Sequence, residues 1–129
     1  MPKRARVHAF IEAVMTGDHA LAIFDFYSDD ASMQENRSEP RRGRELLIAH
    51  ERNALARLSQ ILTHPPAFVV IDGNTVAISW MFDATDHKGV TRRLEEVAVQ
   101  RWHEDRIVEE RFFYDTASAW RELSGSERA

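Results

Sequence analysis

The sequence contains no cysteine. That removes a disulfide frame, a thiolate nucleophile and any sulfur-based metal site, so stability has to come from packing. Only five glycines occur, and none falls in the GxGxxG or GxxxxGK spacing that cradles phosphates. Serine-nucleophile motifs and local HxH or HExxH spacings are missing as well. His50, Glu35, Glu96 and Glu110 are left as a weak candidate metal set, and the expectation is no metal and no cofactor. The opening MPKRARVHAFIEAVM lacks a continuous apolar stretch, which predicts a cytoplasmic protein with no membrane partner. Net charge is small too. The net value is −4, and Lys3, Arg4, Arg6, Arg41, Arg42, Arg44, Arg92 and Arg93 are scattered among acids rather than forming a stripe. Nucleic acid is therefore not an expected partner.

What is present fits one folded domain. A chain of 129 residues, 43% hydrophobic and 29% charged, has enough apolar material for a single core and too little length for two. The expected domain is 1–129, with its core over about 7–115.

Helices come first. Val7, Phe10, Ile11 and Val14 recur at helical spacing, and Gly17-Asp18 reads as the stop of one helix and the N-cap of the next. The second helix carries Leu21, Phe24 and Tyr27 before Ser28-Asp29-Asp30 turns the chain into a short strand over 31–35. Gly43 releases a third helix, GRELLIAHERNALARLS, with Leu47, Ala54 and Leu58 on one face and His50 on or beside that stripe. After His64-Pro65-Pro66 the pattern alternates, with turns at Asp72-Gly73-Asn74, Asp86-His87-Lys88-Gly89 and His103-Glu104-Asp105. Four strands over about 67–72, 75–85, 90–103 and 106–115 should pair as an antiparallel meander, giving an α+β fold with helices on one face of a curved sheet. Asp115 is expected to cap the final turn and the tail SGSERA to fray.

Alternation also sorts the faces. Leu94, Glu96, Ala98, Gln100 and Trp102 share one side of their strand, and Glu95, Val97, Val99 and Arg101 the other. In the last strand Val108, Glu110, Phe112 and Tyr114 oppose Ile107, Glu109, Arg111 and Phe113. Apolar residues on both sides call for two covers, and the helices supply one. A second copy of the chain is the expected other cover, seated on Val97, Val99, Ile107 and Phe113.

The order helix, short helix, strand, SEPRRG turn, long helix and meander, closing on GNTVAISW and EEVAVQRWHEDRIVEERFFYD, resembles the nuclear transport factor 2-like superfamily, and within it the SnoaL-like and ketosteroid isomerase-like group. The resemblance runs from about Val7 to Asp115. It implies a cone-shaped α+β barrel whose three N-terminal helices and concave sheet enclose a small-molecule pocket, with homodimers formed through the convex face. Carried over residue by residue, the isomerase general base falls on Glu35, allowing for one deleted residue before Ser38. The oxyanion-hole tyrosine falls on Phe10 and the oxyanion aspartate on Ala98. With neither donor kept, steroid isomerisation is not implied. The acid of the related limonene epoxide hydrolases falls on Phe112.

By the same correspondence the pocket takes Phe10, Val14, Glu35, His50, Asn53, Met81, Asp83, Glu96, Ala98, Gln100, Trp102, Glu110, Phe112 and Tyr114. Glu35 and His50 form the first candidate catalytic pair, because a carboxyl in a half-apolar cavity and an imidazole both exchange protons near neutral pH. Glu96 and Glu110 would repel unless one keeps a proton or a cation lies between them. Plain readings stand beside these. Glu35 can solvate the barrel mouth, His50 can be a satisfied core residue, and Glu96 and Glu110 can belong to a salt-bridge network. Trp102, Phe112, Phe113 and Tyr114 can be wall before platform, and one bulge would invert the parity of Asp83. Two functions remain: a cofactor-independent isomerase, cyclase, dehydratase or hydrolase, or a non-catalytic ligand-binding or scaffold module.

Overall fold

Periodicity and caps set the first two elements in the computed structural model, which describes residues 1–127. Helix α1 (Arg4–Thr16) buries Val7, Phe10, Ile11 and Val14 and ends at Gly17. A Cβ at Gly17 would meet the Ala13 carbonyl at 2.9 Å. Helix α2 (His19–Phe26) is capped by Asp18, whose side chain accepts from the amides of Ala20 and Leu21, satisfying donors that the first turn leaves free. Its buried face is Ala20, Ala22, Ile23 and Phe26. Leu21 and Phe24, expected inside, are each 55% exposed. HALAIFDF is apolar almost all round, so its pattern does not choose a face.

Tyr27 is not helical. It begins strand β1 (Tyr27–Glu35), which starts four residues earlier than the expected strand. Strand β2 (Arg41–Arg42) turns back on β1, and Gly43, at φ 104°, a value glycine adopts without a Cβ clash, enters helix α3 (Arg44–Ala56). The expected reach of α3 to Leu58 is overturned. The helix stops at Ala56, and Leu58 opens a strand that the sequence reading missed, β3 (Leu58–Thr63). Leu and Gln suit helices as well as strands, so LSQILT hid its alternation behind the preceding helical stripe.

Strands β4 (Val69–Asp72), β5 (Thr75–Asp86), β6 (Thr91–His103) and β7 (Arg106–Phe113) form the expected antiparallel meander. The two halves of β5 take different partners on one edge: β4 lies along 75–78 and β3 along 82–86. At the other edge β1 joins β7 in parallel, and a short β8 (Arg121–Glu122) pairs with β6. The sheet is therefore mixed, mostly antiparallel and open rather than closed, with order β2-β1-β7-β6-β5-β3 along its main path. Among the described residues no helix is long and apolar enough to cross a membrane.

A bulge decides the faces of β7. The register slips between Arg101 and Trp102, so that Arg101 faces Glu109 and Trp102 faces Ile107. Ile107, expected on the outer face, is consequently fully buried with Trp102, because the extra residue, Val108, inverts parity across the slip. The core centres on Phe10, whose ring stands edge-on to Phe26, Tyr27 and Trp102 at centroid distances of 5.4, 6.0 and 6.2 Å. Such contacts add to the area term of about 2–3 kcal/mol for burying each large side chain.

Candidate active site in the helix–sheet pocket

The three helices and the concave side of the sheet enclose a cavity of about 290 Å³. Its wall is largely apolar: Phe10 and Val14 from α1, Ala22 and Ile23 from α2, Ala54 and Leu55 from α3, Leu58 and Ile61 from β3, Trp80 and Phe82 from β5, Leu94 from β6 and Phe112 from β7. Against this wall stand Glu35, Glu51, Glu96 and Glu110, with Arg41, His19, His50, Tyr27 and Trp120.

The carboxyls differ in how they are held. Glu110 is buried between two donors, the Tyr27 hydroxyl and the Gln100 amide Nε2 at 2.7 Å, and the Trp102 indole N–H donates in turn to Gln100 Oε1 at 3.0 Å. Burial pushes the Glu110 carboxyl up to about 7 against the stabilising effect of those bonds. Tyr27 is driven well above the usual phenol range, by burial first and then by the adjacent Glu110. Glu96 has neither a hydrogen bond nor an ion pair among the described residues. Burial is the main cause lifting it to about 8, and the charges of Glu110, Glu35 and Glu51 push the same way. Its carboxyl lines the cavity, where burial and the neighbouring charges favour the protonated form.

Nearer the mouth, Glu35 is an ion pair. Arg41 Nη2 donates to Glu35 Oε2 at 3.0 Å, and the Tyr114 hydroxyl reaches Glu35 Oε1 at 3.4 Å. Burial and Glu35 together raise the Tyr114 phenol. Local folding sets this position. Asn36, at φ 50°, ends β1 and ties it to β7: its amide donates to the Phe112 carbonyl at 2.7 Å, and its Oδ1 accepts from the Tyr114 amide at 3.0 Å. His19 bridges Thr63 Oγ1 at 3.0 Å and Glu51 at 3.6 Å.

Of the residues expected in the pocket, Phe10, Val14, Glu35, His50, Glu96, Glu110 and Phe112 line it. Glu35 and His50 share no hydrogen bond; Glu35 is engaged by Arg41 and Tyr114 instead. Gln100 stands one layer behind the wall as a partner of Glu110, Trp102 donates in turn to Gln100, and Ala98 is buried opposite Phe112. Tyr114 touches the site only through Glu35. Asn53 is exposed. The stripe of α3 that meets the cavity is His50, Glu51, Ala54 and Leu55, and Asn53 lies off it. Met81 and Asp83 are corrected outright: the pocket side of β5 is Trp80 and Phe82, so alternation turns Met81 and Asp83 outward. Asp83 instead takes a two-bond fork from Arg93 at 2.7 and 2.9 Å and a bond with His64 at 2.7 Å.

Sequence reasoning did not bring in Tyr27, Arg41, Glu51, His19 or Trp120. A usable signal existed for Tyr27 alone. A tyrosine beside a buried run needs a partner for its hydroxyl, and an acid such as Glu110 supplies it.

A model of the SnoaL-like domain matches residues 7–110. The chain belongs to the SnoaL-like family. Solved relatives share its fold at low identity. A Mesorhizobium loti protein assigned as a SnoaL-like polyketide cyclase is 23% identical, covering 85% of this chain and 97% of its own, at TM-score 0.70. A Catenulispora acidiphila protein with a ketosteroid isomerase-like fold is 17% identical, with 91% and 90% covered and TM-score 0.74. An LEH-like epoxide hydrolase of M. tuberculosis is 15% identical, with 89% and 84% covered and TM-score 0.71. No curated protein matches the sequence. At these identities the structures speak for the fold, which this SnoaL-like chain shares over nearly its whole length.

Proposed function

We propose that this SnoaL-like protein binds an uncharged, oxygen-bearing small molecule in the helix–sheet pocket and moves a proton on it without a cofactor. One observation carries the reading: Glu96 presents a cavity-facing carboxyl with no partner among the described residues, lifted to about 8 by burial and neighbouring charge. Glu35, paired with Arg41 at 3.0 Å, stands on the same cavity. Two carboxyls in unlike settings, one paired with a guanidinium and one without a partner among the described residues, divide the work of base and acid. Glu35 takes the proton from carbon, and the protonated Glu96 hydrogen-bonds the oxygen on which charge develops. Glu96 thereby supplies a donor of the kind that Phe10 and Ala98 lack. His50, at the mouth, is left an orienting role. The relatives assigned as a polyketide cyclase and an epoxide hydrolase act in the same broad chemical territory. A small oxygenated substrate suits a cavity of about 290 Å³, at the small end of ligand pockets.

The experiment is deuterium incorporation at the α-carbon of a simple ketone, 1-indanone, followed by proton NMR in D₂O. The wild-type protein should accelerate exchange over buffer, and Glu96→Gln and Glu35→Gln should each cut the acceleration by about 100-fold, the scale of a lost acid or base. No acceleration, or exchange indifferent to both changes, leaves the binding-module reading. That reading draws on Glu110, whose oxygens are already engaged by Tyr27 and Gln100.

The assembly is part of the proposal. Val97, Val99 and Phe113 make an outer apolar patch, with Phe113 42% exposed, beside the Arg101–Glu109 pair at 3.0 Å. A second copy related by a two-fold axis would cover this self-complementary patch.

A further inference from the structure

Over the described residues, through 127, the segment after β7 is tied down and brings Trp120 to the pocket, while residues 128–129 of the tail expected to fray lie outside the described residues. Asp115 starts the return: its carboxylate accepts from the Ala117 amide at 2.9 Å and the Ser118 hydroxyl at 3.3 Å. Two anchors then hold the far end. Arg121 and Glu122 pair with Arg93 and Arg92 of β6, and the Leu123 amide donates to the Thr91 carbonyl at 3.0 Å. The Leu123 side chain is 3% exposed. Beyond it, Glu127 takes a two-bond fork from Arg121 at 3.1 and 2.8 Å, accepts from the Ser124 amide at 3.1 Å and lies 4.0 Å from Arg93.

Trp120 sits between these attachments. Its indole lines the pocket although the residue is 41% exposed, as a side chain at a mouth would be. Its backbone is at φ 55°, a region that bulky residues rarely occupy and that costs on the order of 1–3 kcal/mol. The β8 pairing, buried Leu123 and the Glu127 fork on one side, and the Asp115 turn on the other, hold the chain there. No core aromatic contact requires an indole at this point, since the rings around Phe10 are those of Phe26, Tyr27 and Trp102. A glycine would satisfy the backbone without strain.

We propose that Trp120 is the specificity-determining wall of the pocket, carried on a fixed strap, and that it limits the site to ligands short enough to lie beneath an indole. Entry is controlled by one side chain, and the ligand end that faces outward meets an aromatic face. This rests on the small-molecule reading of the pocket, so the test has one arm that needs no ligand.

That arm uses Trp80, which lines the pocket while being 4% exposed, as an internal reporter. Acrylamide quenching is compared in Trp120→Phe, which keeps an aromatic wall and removes the indole signal, and in Trp120→Ala, which removes both. Trp102 is 1% exposed and contributes equally to the two. The alanine variant should be quenched about threefold more strongly, as expected when a protected site becomes open to solvent. Equal quenching overturns the wall. Trp120→Gly, suited to the same backbone, replaces the alanine variant if the latter does not fold as judged by circular dichroism. The second arm measures binding of two uncharged ketones by calorimetry, 1-indanone with two fused rings and 9-fluorenone with three. Wild type and Trp120→Phe should favour the smaller ketone by about tenfold, and Trp120→Ala should lose that preference, a change of about 1.4 kcal/mol. An unchanged preference in the alanine variant overturns the specificity role. If neither ketone binds any form, the small-molecule reading fails, and the quenching arm alone decides whether Trp120 walls the cavity.

Discussion

Replacing Glu96 by Gln should weaken the dependence of stability on pH. The rise of this carboxyl from 4.5 to about 8 means that the folded chain holds the proton more tightly than the unfolded chain. Stability from the protonated group is therefore complete below about pH 4.5 and is lost as pH rises through about 8. At about 1.4 kcal/mol per tenfold change in the proton equilibrium, the full span is about 5 kcal/mol. Water entering the cavity as the carboxylate forms returns part of it, so about 2 kcal/mol or more should be visible. Gln keeps the shape and cannot ionise. Urea unfolding at pH 5, 7 and 9 should give nearly equal stabilities for the two proteins at pH 5 and a widening advantage for Glu96→Gln at pH 7 and 9, over a common shallower slope from Glu110. Parallel curves for variant and wild type across that range would refute the claim that the half-buried Glu96 carboxyl is shifted without a partner.

Tyr27→Phe leaves an oxygen of Glu110 without its donor and should cost about 1–3 kcal/mol in urea unfolding, while moving the Glu110 midpoint above 7 in a carboxyl-labelled NMR titration. Asp83→Asn breaks the fork from Arg93 and the bond to His64 and should cost about 3 kcal/mol at pH 7. Asp83 is held below its ordinary 3.8, so its contribution is present above that value and is lost as pH falls below it; the gap between variant and wild type should close in acid. Val99→Glu on the outer face should shift sedimentation toward the monomer, because pairing would bury an unmatched charge.

How much was legible in the sequence varies element by element. The α1 stripe, the Gly17-Asp18 junction and the four-strand meander follow from periodicity and turn chemistry acting over neighbouring residues, and all of them appear. Strand β3 and the phase of α2 do not follow, because LSQILT and HALAIFDF satisfy more than one pattern and tertiary packing makes the choice. The site was half visible. Glu35, Glu96 and Glu110 could be found by face and resemblance. Parity misassigned Met81, Asp83 and Ile107, where one step, or one bulged residue at Val108, exchanges inside for outside. The indole at Trp120 was invisible because no local rule says where a segment beyond the last long strand returns.

The parallel seam between β1 and β7 also governs how the chain reaches its fold. Ser32 pairs with Glu109, and the Tyr27 hydroxyl meets a carboxyl 83 residues away in sequence. Loops of that span close slowly, since their entropy is lost before the contact forms. The meander pairs neighbouring segments, whereas the wall bearing Tyr27 and Glu35 needs this distant closure and is expected to join it later. A meander without that wall would leave the aromatic lining of the cavity facing water. Concentration and temperature during refolding should therefore govern the yield of this protein more than its final stability does.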